Sequence, residues 1–444
     1  MVTWPCARRP FFEKKSLLLW YIVIRFCITE AIRQTFCNFS QRCIHKGEVM
    51  DILRVLGRKT ELFEDDISNH ERTLAEIVAS SRFLIIGGAG SVGLMVAREI
   101  FKRNPRKLHV IDSSENSIVE LVRDIRSSLG YIDGEFEAYA LDSGSKEYDA
   151  FIQADGGYDY VINLAAMKHV RSEKDPYTAM RMLGLNVLNT DKTLRQSIGK
   201  GVRKYFCAST DKANAPANIY GASKRIMEMY LMKHSSQIAI SNARFNNVAF
   251  SNGSLLDCFH YRILKKQPIA APEDVKRYFI TPKESAELTL MSTLLGENLD
   301  IFFPRIRENL EPITFTEILV RYLQELGYEP YRCRSEQEAR DLVHTLPAKG
   351  KWPCLFTRTD TTGEKILEEF HSDEQAVNLD RFNNIGVIRN ECVYDPVATD
   401  RFSQKISEMK RTGTWDRAAL IDLISETIPD FGHLEKNKFL DAKM

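Results

Sequence analysis

The chain has 444 residues, 44% of them apolar, enough to bury one large core or two modest ones. Lys plus Arg number 61 against 60 Asp plus Glu, a net charge of +1 that gives no overall electrostatic case for a nucleic-acid partner. Any anion must therefore be gripped locally. Residues 1–49 depart from this balance, with eight basic and three acidic side chains and four of the nine cysteines. The other five cysteines (Cys207, Cys258, Cys333, Cys354, Cys392) are scattered and unpaired in CxxC form. That argues against a metal site or a disulfide framework and fits a reducing cytoplasm.

Ser16 to Ile24 (SLLLWYIVI) follows basic residues as a signal peptide's core would, but Arg25 interrupts it and no small-residue cleavage site follows. It is shorter than the roughly 20 apolar residues that a membrane span needs. Three readings stay open for residues 1–49: an appendage foreign to the fold, a membrane-surface or signal-anchor helix, or a core element. Apart from that segment no membrane partner is expected. Translation starting at Met50 is a further expectation.

Residues 50–80 read as a helical lead-in, with Ile52, Leu53, Leu56, Leu62, Phe63, Leu74, Ile77 and Val78 at helical spacing. From Arg82 the pattern changes. Phe83 to Ile86 form a short continuous apolar run ending in glycines, which suits a strand buried on both faces. A helix (Leu94 to Lys102), a strand (Leu108 to Ile111), a helix (Ser117 to Leu129) and strands at Phe136 to Leu141 and Tyr160 to Leu164 follow in alternation. Lys204 to Ala208 and Ile238 to Arg244 read as further strands, with a helix from Tyr220 to His234 between them. This order predicts an α/β fold, a Rossmann-type doubly wound parallel sheet over residues 81–250. After residue 250 the alternation loosens, so residues 251–444 are expected to form a smaller, irregular substrate-binding lobe and a C-terminal extension.

Gly87, Gly90 and Gly93 stand at G-x-x-G-x-x-G spacing between predicted strand and helix. There the backbone can approach a pyrophosphate seated at the helix N-terminus. Asp112, ending the second strand about 20 residues on, is placed to accept from an adenosine ribose and favours NAD. Arg123 and Arg126 could reach a 2′-phosphate, so NADP stays open. Asp142, ending the third strand, either meets the adenine edge or caps a turn.

Ser209, Thr210, Asp211 and Lys212 follow a predicted strand, with Tyr220 and Lys224 beyond. Tyr and Lys at i and i+4 share a helix face, so the ammonium is expected near the phenol, favouring its ionised form as a base. Asp211 beside Lys212 adds an acid and a base, which together could remove a proton from one carbon and protonate a hydroxyl leaving the next, an elimination of water.

Five blocks carry a family resemblance: GGAGSVG (87–93), NLAAMKHVRSEKDP (163–176), STDKANAPANIYGASK (209–224), ARFNNVAFSNGS (243–254) and KRYFITP (276–282). The chain resembles the bacterial nucleoside-diphosphate-sugar 4,6-dehydratases of polysaccharide biosynthesis, in particular the CapD-like UDP-N-acetylglucosamine 4,6-dehydratases of the extended short-chain dehydrogenase type. The resemblance implies 4,6-dehydration of a UDP-N-acetylhexosamine with a tightly bound NAD or NADP, in a homo-oligomer. A 4-epimerase or simple dehydrogenase on the same fold is the competing reading. It implies that Tyr220 takes the O4 proton, Lys212 the C5 proton, Asp211 protonates the departing hydroxyl, Thr210 bonds the C4 oxygen and Lys224 holds the nicotinamide ribose. It assigns Ser91, Val92 and Ala165 to the cofactor together with the glycines, and Lys168, Asn247, Ser254 and Arg277 to the substrate. Asn186 resembles the short-chain fold's helix asparagine. No metal is implied. The chain departs from the pattern at Ile86, where Thr is usual, and at Asn189 and Asn246, where Gly is usual; Asn246 is expected to reshape the sugar pocket.

Overall fold

The computed structural model describes residues 44–45, 48–155, 157–307, 310–439, 441 and 444. The chain divides into two units, Met1–Val49 and Met50–Met444. In the first, Ile44–His45 pairs antiparallel with Glu48–Val49; the SLLLWYIVI segment lies outside the described residues.

In the second unit, α1 (Glu64–Ala79) leads into β1 (Arg82–Ile86), whose FLII run is buried throughout. Then come α2 (Ser91–Phe101), β2 (Lys107–Asp112), α3 (Glu115–Ser128), β3 (Glu135–Ala140), α4 (Lys146–Ala154) and β4 (Tyr160–Asn163). They are followed by α5 (Thr190–Gly199), β5 (Lys204–Thr210), α6 (Ile219–His234) and β6 (Ala239–Phe245). The strands pair parallel in the order β3-β2-β1-β4-β5-β6. The order reverses direction between β1 and β4, and in such sheets ligands bind at that switch point, beyond the carboxyl ends of the strands.

The sheet does not stop near residue 250. After α7 (Pro282–Leu295) the chain returns as β7 (Asp300–Pro304), parallel to β6. β9 (Ile385–Arg389) adds antiparallel to β7, and β8 (Val377–Asn378) antiparallel to β9, giving nine strands. The physical reason is visible in α7, which is buried on nearly every face beneath this extension. A helix without a solvent face must be covered on both sides. The boundary expected at 250 is therefore corrected: the later residues complete the central sheet as well as building a lobe. That lobe is also more regular than expected, with helices at Leu255–Leu264, Phe315–Glu325, Pro396–Thr412 and Arg417–Thr427.

Two local devices position the site. Asn218 caps α6 by accepting from Gly221 N, so the helix begins immediately before Tyr220 and carries Tyr220 and Lys224 on its first turns. Gly184–Asn189 forms a π-helical turn, a feature often found at functional sites. From it the fully buried Asn186 accepts from Met167 N and donates to Met167 O and Ser223 Oγ, each at 2.9 Å. This ties the segment after β4 to the helix that bears Tyr220.

Candidate active site

A cleft of about 540 Å³ opens at the carboxyl ends of β1, β4, β5 and β6, within the range of small-ligand pockets. One wall is the glycine turn. Gly87 has φ +74°, and a Cβ there would lie 2.6 Å from Ala165 N. A Cβ on Gly93 would lie 2.5 Å from the Gly87 carbonyl oxygen, so this glycine lets α2 pack against the turn. Gly90 is different: the nearest atom to its added Cβ is 3.7 Å away, and it caps α2 with no side-chain hydrogen bond. The first N–H groups of α2 therefore face the cleft without an internal acceptor and with no acidic side chain in the first turn. That arrangement fits a pyrophosphate. Ser91, Val92 and Gly93 line the same wall, and Ser91 Oγ accepts from Asn252 N at 2.8 Å.

Asp112 ends β2 and accepts from Ala89 N (3.2 Å) and Ser114 N (3.0 Å), bracing the turn from below. Burial raises its carboxyl above the usual range, against the pull of those backbone hydrogen bonds. Asp142 is exposed and accepts from Gly144 N at 2.8 Å, which is the turn-capping geometry. Arg126 stacks over Tyr131 and Phe136, at 4.4 and 5.0 Å to the ring centroids, and donates to the Gly130 carbonyl. Arg123 is exposed.

The opposite wall carries the reactive groups. Thr210, Lys212, Tyr220 and Lys224 all line the cleft. Thr210 Oγ1 donates to Asp211 Oδ1 at 2.9 Å, and Lys212 Nζ donates to the same oxygen at 3.1 Å. Hydroxyl, carboxyl and amine of Thr210, Asp211 and Lys212 form one connected chain, and Thr210 is near enough to the Tyr220 phenol to favour its ionised form. Burial holds the phenol above its ordinary pKa, opposed by the neighbouring Thr210 hydroxyl. Lys224 shares the cleft with Tyr220; its Nζ donates to the Ala208 carbonyl at 3.0 Å, and burial lowers its pKa.

Of the residues assigned to substrate, Lys168, Asn247 and Ser254 line the cleft. Lys168 Nζ donates to Ser251 Oγ at 3.0 Å, and burial lowers its pKa against the attraction of Asp257. Ser254 caps the helix Leu255–Leu264. Arg277 is a correction. Its guanidinium is buried and donates to the carbonyls of Lys276, Ile366 and Lys365, with Glu364 at 3.6 Å. Its donors hold the loop around residue 365 and do not face the cleft.

That loop supplies what sequence reading missed. Asn218 Nδ2 donates to the Gly363 carbonyl at 2.7 Å, and Arg244 Nη1 to the Phe370 carbonyl at 2.6 Å. Between these anchors lies the buried Glu368, whose Oε1 is 3.8 Å from Lys212 Nζ. Burial is the first cause of its raised pKa, opposed by Lys212. Nothing in local spacing signals this contact. Phe315 was also missed; it lines the cleft edge-on to Phe279, with ring centroids 5.5 Å apart.

Among the described residues, His109, Glu135 and Asp155 bring metal-type ligand atoms together. Lys107 Nζ already lies 2.8 Å from Asp155 and 3.5 Å from Glu135, supplying a cation there. No helix among the described residues is long and apolar enough to cross a membrane.

A family profile described as "Polysaccharide biosynthesis protein" matches residues 83–390. The chain is 28% identical to an uncharacterized membrane protein, MJ1061, of Methanocaldococcus jannaschii, over 69% of this chain and 84% of that one. It is also 28% identical to the capsular polysaccharide biosynthesis protein CapD of Staphylococcus aureus, over 63% of this chain and 45% of CapD. It thus spans less than half of CapD. Among solved structures it is similar to DesIV, a dTDP-glucose 4,6-dehydratase from Streptomyces venezuelae with NAD and TYD bound. There the TM-score is 0.52 at 14% identity, covering 74% of this chain and 97% of that one, a likeness of fold. The profile match covers well over half of the sequence, and the chain belongs to the polysaccharide biosynthesis protein family.

Proposed function

We propose that this protein catalyses NAD(P)-dependent 4,6-dehydration of a UDP-N-acetylhexosamine, UDP-N-acetylglucosamine before others, to a 4-keto-6-deoxy sugar nucleotide for surface glycan synthesis. The observation that carries this reading is that Tyr220, Thr210 and Lys212 line the cleft with the glycine turn, and that the buried Asp211 carboxyl behind them is hydrogen-bonded to both Thr210 and Lys212. When bound, the nicotinamide supplies a hydride acceptor and, later, a hydride donor; Gly87, Gly90 and Gly93 with the start of α2 would hold its pyrophosphate, and Lys224 its ribose.

The protein's own groups handle the protons. Tyr220 accepts the O4 proton as the C4 ketone forms, and the ketone acidifies the neighbouring C5–H. Lys212 and Asp211 are within proton-transfer reach at 3.1 Å. Moving one proton from ammonium to carboxylate leaves a free amine and a carboxylic acid, the two species that elimination needs. The amine takes the C5 proton, the acid protonates the departing 6-hydroxyl as water leaves, and the ammonium then returns its proton to C5. Asp211 is left one proton short, and Tyr220 holds one extra. Thr210, hydrogen-bonded to Asp211 and close to the Tyr220 phenol, connects donor to acceptor, so the cycle closes with no proton unaccounted for.

An epimerase on this fold has no use for the Asp211–Lys212 pair. Incubation with UDP-N-acetylglucosamine, followed by proton NMR, is expected to show a new C6 methyl doublet. UDP-N-acetylgalactosamine as the sole product would overturn dehydration in favour of epimerisation. The same run with GDP-N-acetylglucosamine tests the nucleotide.

A further inference from the structure

β6 ends at Phe245, in register with Thr210 of β5, and two residues later Asn247 pairs with Phe279 in a separate two-stranded sheet. Asn246 sits at this junction, next along the chain from the residue beside Thr210. It lines the cleft and is only 6% exposed, yet neither its Oδ1 nor its Nδ2 has a hydrogen-bond partner. Buried polar side chains are almost always satisfied, because stripping water from a donor or acceptor without replacing it is costly. A fully unpaired carboxamide on a cleft wall is a group kept for a ligand.

A carboxamide offers an acceptor and a donor side by side. A ligand amide carries the complementary groups: a primary carboxamide presents donor and acceptor on one edge and can meet both at once, while a trans secondary amide meets one of them with its N–H or its C=O. We propose that Asn246 is a specificity-determining residue whose carboxamide pairs with an amide of the ligand. At the reacting end of the cleft, beside Thr210, that amide has two sources: the acetamido arm of an N-acetylhexosamine or the carboxamide of the nicotinamide. The inference rests on the function proposed above and deepens it, since the family pattern has Gly at this position and so no side chain to make the contact.

The test compares the parent with Asn246→Leu, close in size and without polar atoms, and with Asn246→Gly, which removes the group without filling its space. Affinities for UDP-N-acetylglucosamine and UDP-glucose are measured by calorimetry, and that for the dinucleotide by titration of the stripped protein. If the acetamido arm is the partner, UDP-N-acetylglucosamine binding weakens about 10- to 100-fold in both variants while UDP-glucose is unchanged. If the nicotinamide is the partner, dinucleotide binding weakens by that factor and both sugars weaken together. All three affinities staying within about threefold of the parent would overturn the proposal, and so would an equal loss for both sugars with dinucleotide binding intact. These are binding constants and do not depend on turnover. A failure of the dehydration reading shows separately, in the parent's product. If the parent fails to bind UDP-N-acetylglucosamine, the substrate reading fails, and unchanged dinucleotide binding in the variants then overturns the present proposal.

Discussion

Tyr220→Phe is expected to lower dehydration by about 10²- to 10⁴-fold, the usual contribution of a positioned general base, while leaving sugar-nucleotide affinity within a few-fold of the parent. In the proposed reaction the phenol, which lines the cleft, receives the O4 proton and passes it on through the neighbouring Thr210 toward Asp211. Losing only the oxygen removes the first proton acceptor and the start of that chain, but keeps the ring. Because burial holds the phenol above its ordinary pKa, the base form becomes more available as pH rises. The rate of the parent should climb with pH through the neutral range. In the variant that climb should be lost. Steady-state kinetics of both proteins between about pH 6 and 9 provides the check, and an undiminished rate in the variant would remove Tyr220 from the chemistry.

Arg244→Ala is expected to destabilise the fold by about 3–5 kcal/mol, the cost of breaking a buried ion pair by deleting one partner. Arg244 and Glu228 have no exposed side-chain surface, and they meet through two hydrogen bonds of 3.1 and 2.8 Å. Removing the guanidinium leaves Glu228 charged and buried, with Ser209 Oγ at 2.6 Å and Arg225 Nη1 at 3.5 Å as its remaining partners. The variant also frees the Phe370 carbonyl and the Gln375 side chain, both held by Arg244 Nη1. The loop that brings Glu368 to Lys212 then loses one of its anchors, so activity should fall further than stability alone accounts for. Replacing both members with apolar residues of similar size, Arg244→Met with Glu228→Leu, should recover much of the stability but not the loop anchor. Thermal melts of the three proteins test this, and a single variant that melts within a degree or two of the parent would refute it.

The glycine turn, the strand before it and the Tyr220–Lys224 helix were legible in the sequence because their signals are local. An apolar run ending in glycines has few alternatives to a buried strand and a tight turn, and the helix expected from Tyr220 to His234 is observed as Ile219–His234. Asn246 was legible as a departure from the family pattern. What it does there was not, because an unpaired carboxamide is a property of the packed cleft. Arg277 misled for a general reason: an arginine beside a substrate motif suits phosphate, but backbone carbonyls satisfy it equally well, and the loop around residue 365 reached it first. Glu368 could not be seen at all, since its approach to Lys212 joins residues far apart in the chain through a loop without regular structure. The added strands β7, β8 and β9 were hidden for a related reason. Their runs, DIFFP, VN and IGVIR, are short and follow no glycine turn of the first kind, so only their pairing reveals them.

The central claim is that the Lys212 amine on the cleft wall removes and returns the proton at C5 of the sugar while the neighbouring Asp211 carboxyl protonates the departing 6-hydroxyl. Running the reaction in D₂O tests it most directly, because the Lys212 ammonium exchanges with solvent and so delivers deuterium. The account predicts a 4-keto-6-deoxy product carrying one deuterium at C5, seen as collapse of the C6 methyl doublet toward a singlet. A product with protium retained at C5, formed with UDP-N-acetylgalactosamine or in its place, would contradict it.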